Sequence, residues 1–365
     1  MLRLGSQVPG IMNVRFLLVL LLALPALSQT RESRPPADHR IQISAAGASG
    51  GSCSAALPDG RSFITGGAEP LGPLATAEYF ETDASVTSAA PMLTPRTNHV
   101  CVALEDGTVL VAGGDPGKDG PTNAAEIFHP DTNSWTPTGP ILTLRQKAAA
   151  VLLKNGKALI IGGEVSGAAA NTMEVYDPVA GVFTQAAGVL SPPRTGHAVA
   201  LLDDGRVIIA GGFEGKRVLD SIDIFDPEQG VFSGGRLSSP RANFTATTLA
   251  GGKVLIAGGT DGSHELPSAE LYDPATGDVL PAGSLAAPRQ KHLAIRPAGR
   301  EQVLIAGGTA RNRTVSLAEL FNPSENTFRS ASEAANERSA GLSITIGTLG
   351  PDATIRSRKT YHLAK

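Results

Sequence analysis

The sequence predicts an all-β chain built by repetition, and three observations predict it. Gly-Gly pairs recur at Gly66-Gly67, Gly113-Gly114, Gly162-Gly163, Gly211-Gly212, Gly258-Gly259 and Gly307-Gly308, spaced by 47, 49, 49, 47 and 49 residues. Each pair ends a short apolar run rich in Val and Ile, the pattern of a strand buried on both faces. Glycine (42) and proline (26) are abundant, and no stretch after residue 30 keeps apolar residues at helical spacing for three turns.

The elements of one unit follow in order. Asp59-Gly60, Asp106-Gly107, Asn155-Gly156, Asp204-Gly205 and Gly251-Gly252 precede the Gly-Gly strands. Such pairs accept positive φ and predict a two-residue hairpin joining a first strand to the second. A third strand is marked by Glu78-Tyr79-Phe80, Glu126-Ile127-Phe128, Glu174-Val175-Tyr176, Asp223-Ile224-Phe225, Glu270-Leu271-Tyr272 and Glu319-Leu320-Phe321. Seven residues after an aromatic of that strand comes Val86, Trp135, Phe183, Phe232, Val279 or Phe328, the start of a fourth. Arg96, Arg145, Arg194, Arg241, Arg289 and Arg338 close the units.

Gly-Gly, then Tyr, then Trp seven residues on, in units of about 50 residues, resembles the kelch repeat. The resemblance runs from about residue 50 to 338 and departs from the pattern at the Trp position, where only Trp135 is kept. It implies a β-propeller of four-stranded antiparallel blades, in the superfamily of the central domain of galactose oxidase. Two leftover segments bear on the blade count: Arg40-Ile41-Gln42-Ile43-Ser44 before the first repeat, and Leu342–Ile346 with Thr354-Ile355-Arg356 after the last. Joined, they predict a closing blade shared by both termini and seven blades; the alternative is six.

The N-terminus reads as a targeting segment. Arg15, the apolar run Phe16–Leu27 and Ser28 describe a secretory signal peptide over 1–28, followed by a linker over 29–39 and one propeller domain over 40–365. The chain is therefore expected to be secreted or periplasmic, with no stable membrane insertion after cleavage; the compact signal and the repeated Val-Leu-Ile-Ala-Gly-Gly suit a bacterial protein. A formal charge of −3 without a Lys/Arg cluster argues against nucleic acid as a partner. Cys53 and Cys101 stand one position out of register in successive repeats, which points them to opposite faces of equivalent strands. Two buried small hydrophobes is the favoured reading over a disulfide.

Strand order places the second-to-third and fourth-to-first connections on one face. The loops there vary while the frame repeats, so ligand is expected on that face. Candidate binding residues are Glu69, Asp115, Glu164, Glu214 and Asp261 after the Gly pairs, with Lys118, Lys216, Arg217, His264, Arg311 and Arg313. The closing arginines are read as structural, each paired with a third-strand acid in a contact internal to its repeat. His99, His197 and His292, three residues after an arginine, are likewise read as structural in preference to a metal site.

Catalysis has little support. No nucleophile elbow or zincin motif is present. The copper oxidases with kelch propellers need a Cys–Tyr cross-link, and none of Tyr79, Tyr176, Tyr272 and Tyr361 lies near a cysteine in sequence. No cofactor or metal is expected. The function expected is a non-catalytic module that binds protein or glycan. The alternative is a sugar-modifying enzyme such as a kelch-type sialic-acid mutarotase, with Glu214 beside Lys216 and Arg217, or His264 beside Glu265, as acid–base groups.

Overall fold

The computed structural model describes residues 41–44, then 51–331 apart from 58, 60, 70, 81–85, 119, 297–300, 312 and 316, and the strands 342–349 and 355–363. The expected signal peptide and linker, and Arg338, lie outside the described residues. Six four-stranded antiparallel sheets follow one another along the chain. Blade 1 holds Cys53–Ala56, Ser62–Thr65, Ala77–Phe80 and Val86–Ser88. Blade 2 holds Val100–Ala103, Val109–Ala112, Ala125–His129 and Ser134–Thr138. Blade 3 holds Ala149–Leu152, Ala158–Ile161, Met173–Asp177 and Val182–Gln185. Blade 4 holds Ala198–Leu201, Val207–Ala210, Ser221–Asp226 and Gly230–Arg236. Blade 5 holds Thr245–Thr248, Val254–Ala257, Ser268–Tyr272 and Val279–Ser284. Blade 6 holds Leu293–Ile295, Val303–Ala306, Glu319–Asn322 and Thr327–Ser330.

The Gly-Gly strands are buried along their whole length, as their unbroken apolar runs require. The first strands of successive blades pack side by side from blade 1 to blade 6. The hairpins between first and second strands of blades 2 to 5 carry three residues, not two. Leu104 and Thr108 still pair, and Gly107, at φ +83°, is the single left-handed residue of Glu105-Asp106-Gly107. Asp106 keeps an ordinary φ and accepts from the Thr108 amide at 3.0 Å, so aspartate caps the turn and glycine reverses it.

The seven-blade expectation is corrected to six. Both termini do meet in one further sheet, but it has three strands. Ile41–Ser44 runs parallel to Leu342–Leu349, which pairs antiparallel with Ile355–Leu363. A blade needs antiparallel neighbours throughout. The parallel pair, and a count of three strands among the described residues, leave this sheet outside that pattern.

The cysteine reading is also corrected: Cys53 and Cys101 form a disulfide, with Cα atoms 5.9 Å apart. Cys53 pairs with Thr65 and Cys101 with Val111, one rung apart in equivalent ladders, so the two do lie on opposite faces of equivalent strands. In a radial array, however, one face of a blade meets the opposite face of the next. The offset that argued against a bond is the offset that brings the sulfurs together.

The arginines fasten blade to blade. The Gly114 amide donates to the Arg145 carbonyl at 2.9 Å, tying its backbone to blade 2. Its guanidinium reaches into blade 3, donating to Gly162 O, Thr172 O and Glu174 Oε1 at 2.8, 2.9 and 2.6 Å. Glu174 in turn accepts from the Leu142 amide at 2.6 Å. The pairs Arg96–Glu126, Arg194–Asp223, Arg241–Glu270 and Arg289–Glu319 repeat the arrangement, all with the arginine fully buried. These arginines are structural, as the sequence implied, but the contact crosses between blades instead of staying inside one repeat.

The glycine pairs follow from the same geometry. A Cβ on Gly113 would lie 2.7 Å from the Arg145 carbonyl oxygen, and one on Gly163 would lie 2.6 Å from that of Gln146. Both residues also have positive φ, so no side chain is tolerated there. The histidines fill the adjoining slot: His99 sits between Gly66 and Gly114, its Nε2 2.8 Å from Thr65 Oγ1. Burial, with the nearby arginine second, lowers His99, His197 and His292 to about 3, so all three are neutral.

Candidate functional site

The face where second-to-third and fourth-to-first connections meet is built on five short bridges. The residue after each clamped arginine pairs with the start of a second-to-third loop: Thr97 with Asp115, Gln146 with Glu164, Thr195 with Phe213, Ala242 with Thr260 and Gln290 with Thr309. One residue further on, the chain takes a left-handed turn in every case, at Asn98, Lys147, Gly196, Asn243 and Lys291. The amides of these turns donate across the blade boundaries. Asn98 N reaches Gly51 O at 2.6 Å, and Lys147 N reaches Asn98 O at 2.8 Å. Asn243 N reaches Gly196 O, and Lys291 N reaches Asn243 O, both at 2.8 Å. Backbone from successive blades thus forms a collar at the loop end of the first strands.

Side chains knit the collar further. Asn98 Nδ2 donates to Gln146 Oε1 at 3.4 Å and Asn243 Nδ2 to Gln290 Oε1 at 3.1 Å. Gln146 Nε2 donates to Glu164 Oε1 at 3.2 Å, while Lys147 Nζ holds the other carboxylate oxygen at 2.7 Å. Gln290 Nε2 and the Arg311 amide both donate to Glu265 Oε1, at 3.2 and 3.1 Å. Lys147 and Lys291 remain exposed to solvent.

The sequence candidates divide into two groups. Asp115 and Glu164 stand on the bridges and belong to the collar. Glu69, Glu214 and Asp261 fall one residue later relative to the glycine pair and lie in the loops outside it. Glu214 is 3.5 Å from Arg217 in the hairpin Phe213–Glu214 with Arg217–Val218. His264 Nδ1 is 3.8 Å from Asp261, whose carboxyl lies below its ordinary range because the His264 and Ser263 amides donate to it. Lys118, Lys216, Arg311 and Arg313 are exposed on the same face. The structure therefore gathers the candidates on one face and pairs some within single loops. It assembles no cluster of three or more His, Cys, Asp or Glu side chains fit for a metal among the described residues.

Asn98, Gln146, Lys147, Asn243, Gln290 and Lys291 were missed as site residues, and Glu265 was read only as the partner of His264 in acid–base work. The six missed residues share a signal: they stand one or two positions after an arginine of the frame, where Thr-Asn, Gln-Lys, Thr-Gly, Ala-Asn and Gln-Lys replace one another.

The kelch motif model matches residues 193–234 and 240–279, the fourth repeat with the turn before it and most of the fifth. No curated protein matches the chain. Among solved structures, the one titled "Structure of YjhT" is similar, with a TM-score of 0.63 at 17% identity, covering 77% of this chain and 97% of that one. At that identity the likeness concerns the fold. The motif matches, the four-stranded blades and the shared architecture agree: the chain is a kelch-repeat β-propeller.

Proposed function

We propose that the protein is an exported, non-catalytic binding module that recognises a protein or glycan partner through the loop face, centred on the collar. The observation that carries the reading is the contrast at the collar. Its backbone is copied from blade to blade, fixed by buried arginine clamps, while its side chains vary among the copies, with Gln-Lys at two of the five. A rigid frame with varied polar residues limits the ordering cost of binding and leaves specificity to the side chains. Export is supported by the apolar segment at 16–27 and by the Cys53–Cys101 disulfide, a bond of oxidising compartments.

A thermal-shift screen of glycans and small metabolites, with peptide and glycan arrays for larger partners, tests the reading. A partner of wild type that the variant Gln146→Ala/Lys147→Ala/Gln290→Ala/Lys291→Ala no longer binds supports it. Partners held equally by both proteins overturn it.

A second reading rests on the His264–Asp261 pair, an exposed imidazole beside a carboxylate on the same face. Such a pair suits acid–base chemistry on a sugar, as in a mutarotase. Anomer exchange followed by NMR separates the two: exchange lost in His264→Ala favours the enzyme, and no acceleration over buffer removes it.

A further inference from the structure

Blade 4 departs from blades 2, 3 and 6 at three points that meet in one place. Its third-strand acid is Asp223, where the blades 2, 3, 5 and 6 carry Glu126, Glu174, Glu270 and Glu319. The carboxylate still holds Arg194 at 2.8 Å but sits on a side chain one methylene shorter. Its fourth strand is shifted by one residue. Trp135 pairs with Phe128, Phe183 with Tyr176 and Phe328 with Phe321, yet in blade 4 it is Val231 that pairs with Phe225. The turn between Asp226 and Gly230 has three residues against four in those blades, and Phe232 is carried to the other face, 39% exposed. A bulge then breaks the ladder between Ile222 and Asp223, opposite Ser233 to Gly235.

Valine thus stands toward blade 3 where an aromatic ring fills the equivalent space between blades 1 and 2 and between blades 2 and 3. The shorter acid and the bulge add to the gap. The result is a cleft of about 390 Å³ at the rim, outside the collar, between the connection at Val189 to Pro192 and the outer half of blade 4. That volume falls within the range of about 300–1,000 Å³ typical of small-molecule sites.

The chemistry of the lining is balanced. Asp223 is paired with Arg194, Asp220 takes both hydrogen bonds of Arg236 at 2.8 and 3.0 Å, and Arg217 lies beside Glu214. The hydroxyls of Ser191, Ser221 and Ser233 add donors and acceptors without charge, and Val189, Pro192 and Val231 give an apolar wall. A lining whose charges are already paired gains little from a charged ligand and must break an ion pair to take one. Planar carboxylate and guanidinium edges offer paired acceptors and donors that match adjacent hydroxyls. We propose that this cleft between blades 3 and 4 binds a neutral, hydroxyl-rich ligand of the size of one monosaccharide unit. Phe232 is the single aromatic residue of the lining, and affinity is expected in the millimolar range.

Saturation-transfer NMR with methyl α-D-glucopyranoside, methyl α-D-mannopyranoside and methyl β-D-galactopyranoside tests this, with glucuronate as the anionic comparison. At least one neutral glycoside is expected to saturate the protein at millimolar concentration, ahead of glucuronate. Val231→Phe restores the ring that fills the space elsewhere and is expected to weaken that binding about tenfold or more. Ser233→Leu, at an exposed position of the lining, does the same without touching the core, and decides the matter if Val231→Phe fails to fold. The collar variant described above keeps this binding, which separates the cleft from the loop-face reading. Absence of saturation by all three glycosides, tighter binding of glucuronate, or unchanged binding in Ser233→Leu overturns the proposal.

Discussion

Replacing Arg145 by methionine removes a guanidinium that is 1% exposed and keeps a side chain of similar length. Four hydrogen bonds go with it: to the Gly162 and Thr172 carbonyls, to Thr172 Oγ1 and to Glu174. Glu174, itself 1% exposed, is left with the Leu142 and Thr143 amides and no counter-charge. Removing one partner of a buried pair costs about 3–5 kcal/mol, because the other charge stays buried alone. For a chain of this size that corresponds to a fall in Tm of about 4–7 °C. Urea unfolding followed by circular dichroism, with the disulfide intact, reads the loss. Two comparisons sharpen it. Arg145→Met with Glu174→Gln removes the stranded charge and is expected to recover about half of the loss. Arg236→Met breaks a pair of similar geometry whose arginine is 68% exposed, and is expected to cost less than about 1 kcal/mol. Equal losses in Arg145→Met and Arg236→Met would refute the clamp as a stabilising device.

Reduction of the Cys53–Cys101 bond, which closes a loop spanning 48 residues, is expected to lower stability by about 4 kcal/mol, read as the difference in urea midpoint with and without dithiothreitol. The same protein shows no reactive thiol before reduction, by Ellman titration under denaturing conditions. Gly163→Ala places a methyl group 2.6 Å from the Gln146 carbonyl at a φ of +94°, and is expected to cost at least about 2 kcal/mol, whereas Gly167→Ala, with open space around it, costs only its backbone strain. His197 has both ring nitrogens buried without a hydrogen-bond partner among the described residues and a pKa lowered to about 3 by burial first and Arg194 second. Its folded value lies below the ordinary 6.5, so the stability it permits is complete above that pH and is lost as pH falls from 6.5 toward 3. Phe244 occupies the equivalent slot against Gly211, so His197→Phe is expected to fold and to be less sensitive to acid over that window; Tm measured at pH 5 and pH 8 checks it. Burial raises the Glu78 carboxyl, and no arginine among the described residues is paired with it. Its stability contribution is therefore lost as pH rises above the ordinary 4.5, and Glu78→Gln is expected to stabilise the protein at pH 7, opposite in sign to Glu126→Gln.

The frame was legible because its causes leave marks on composition. Gly113 and Gly163 must be glycine for both φ and space, and Arg145 with Glu174 must be an ion pair, so the glycines, the arginine and the acid recur in each unit of the sequence. The cysteine bond was misjudged for a geometric reason: facing was compared within one blade, while the contact runs from one blade to the next. Phe232 keeps the seven-residue spacing of Trp135 and Phe183, and only the length of the turn before it shows that it faces elsewhere. The terminal strands read correctly as strands, but an apolar alternation does not say whether Ile41–Ser44 will run parallel or antiparallel to its neighbour. The collar escaped because Lys147 and Lys291 differ from Asn98 and Gly196, and a search for recurrence passes over the positions that vary.

Hydrogen–deuterium exchange on the chain, with and without the first partner found by screening, tests the loop-face reading most directly. The amides of 115–122, 164–169, 213–218 and 260–265, together with those following Arg145 and Arg289, are predicted to slow when the partner binds. Slowing confined to the hairpins of the opposite face, such as 104–108 and 153–157, would contradict it.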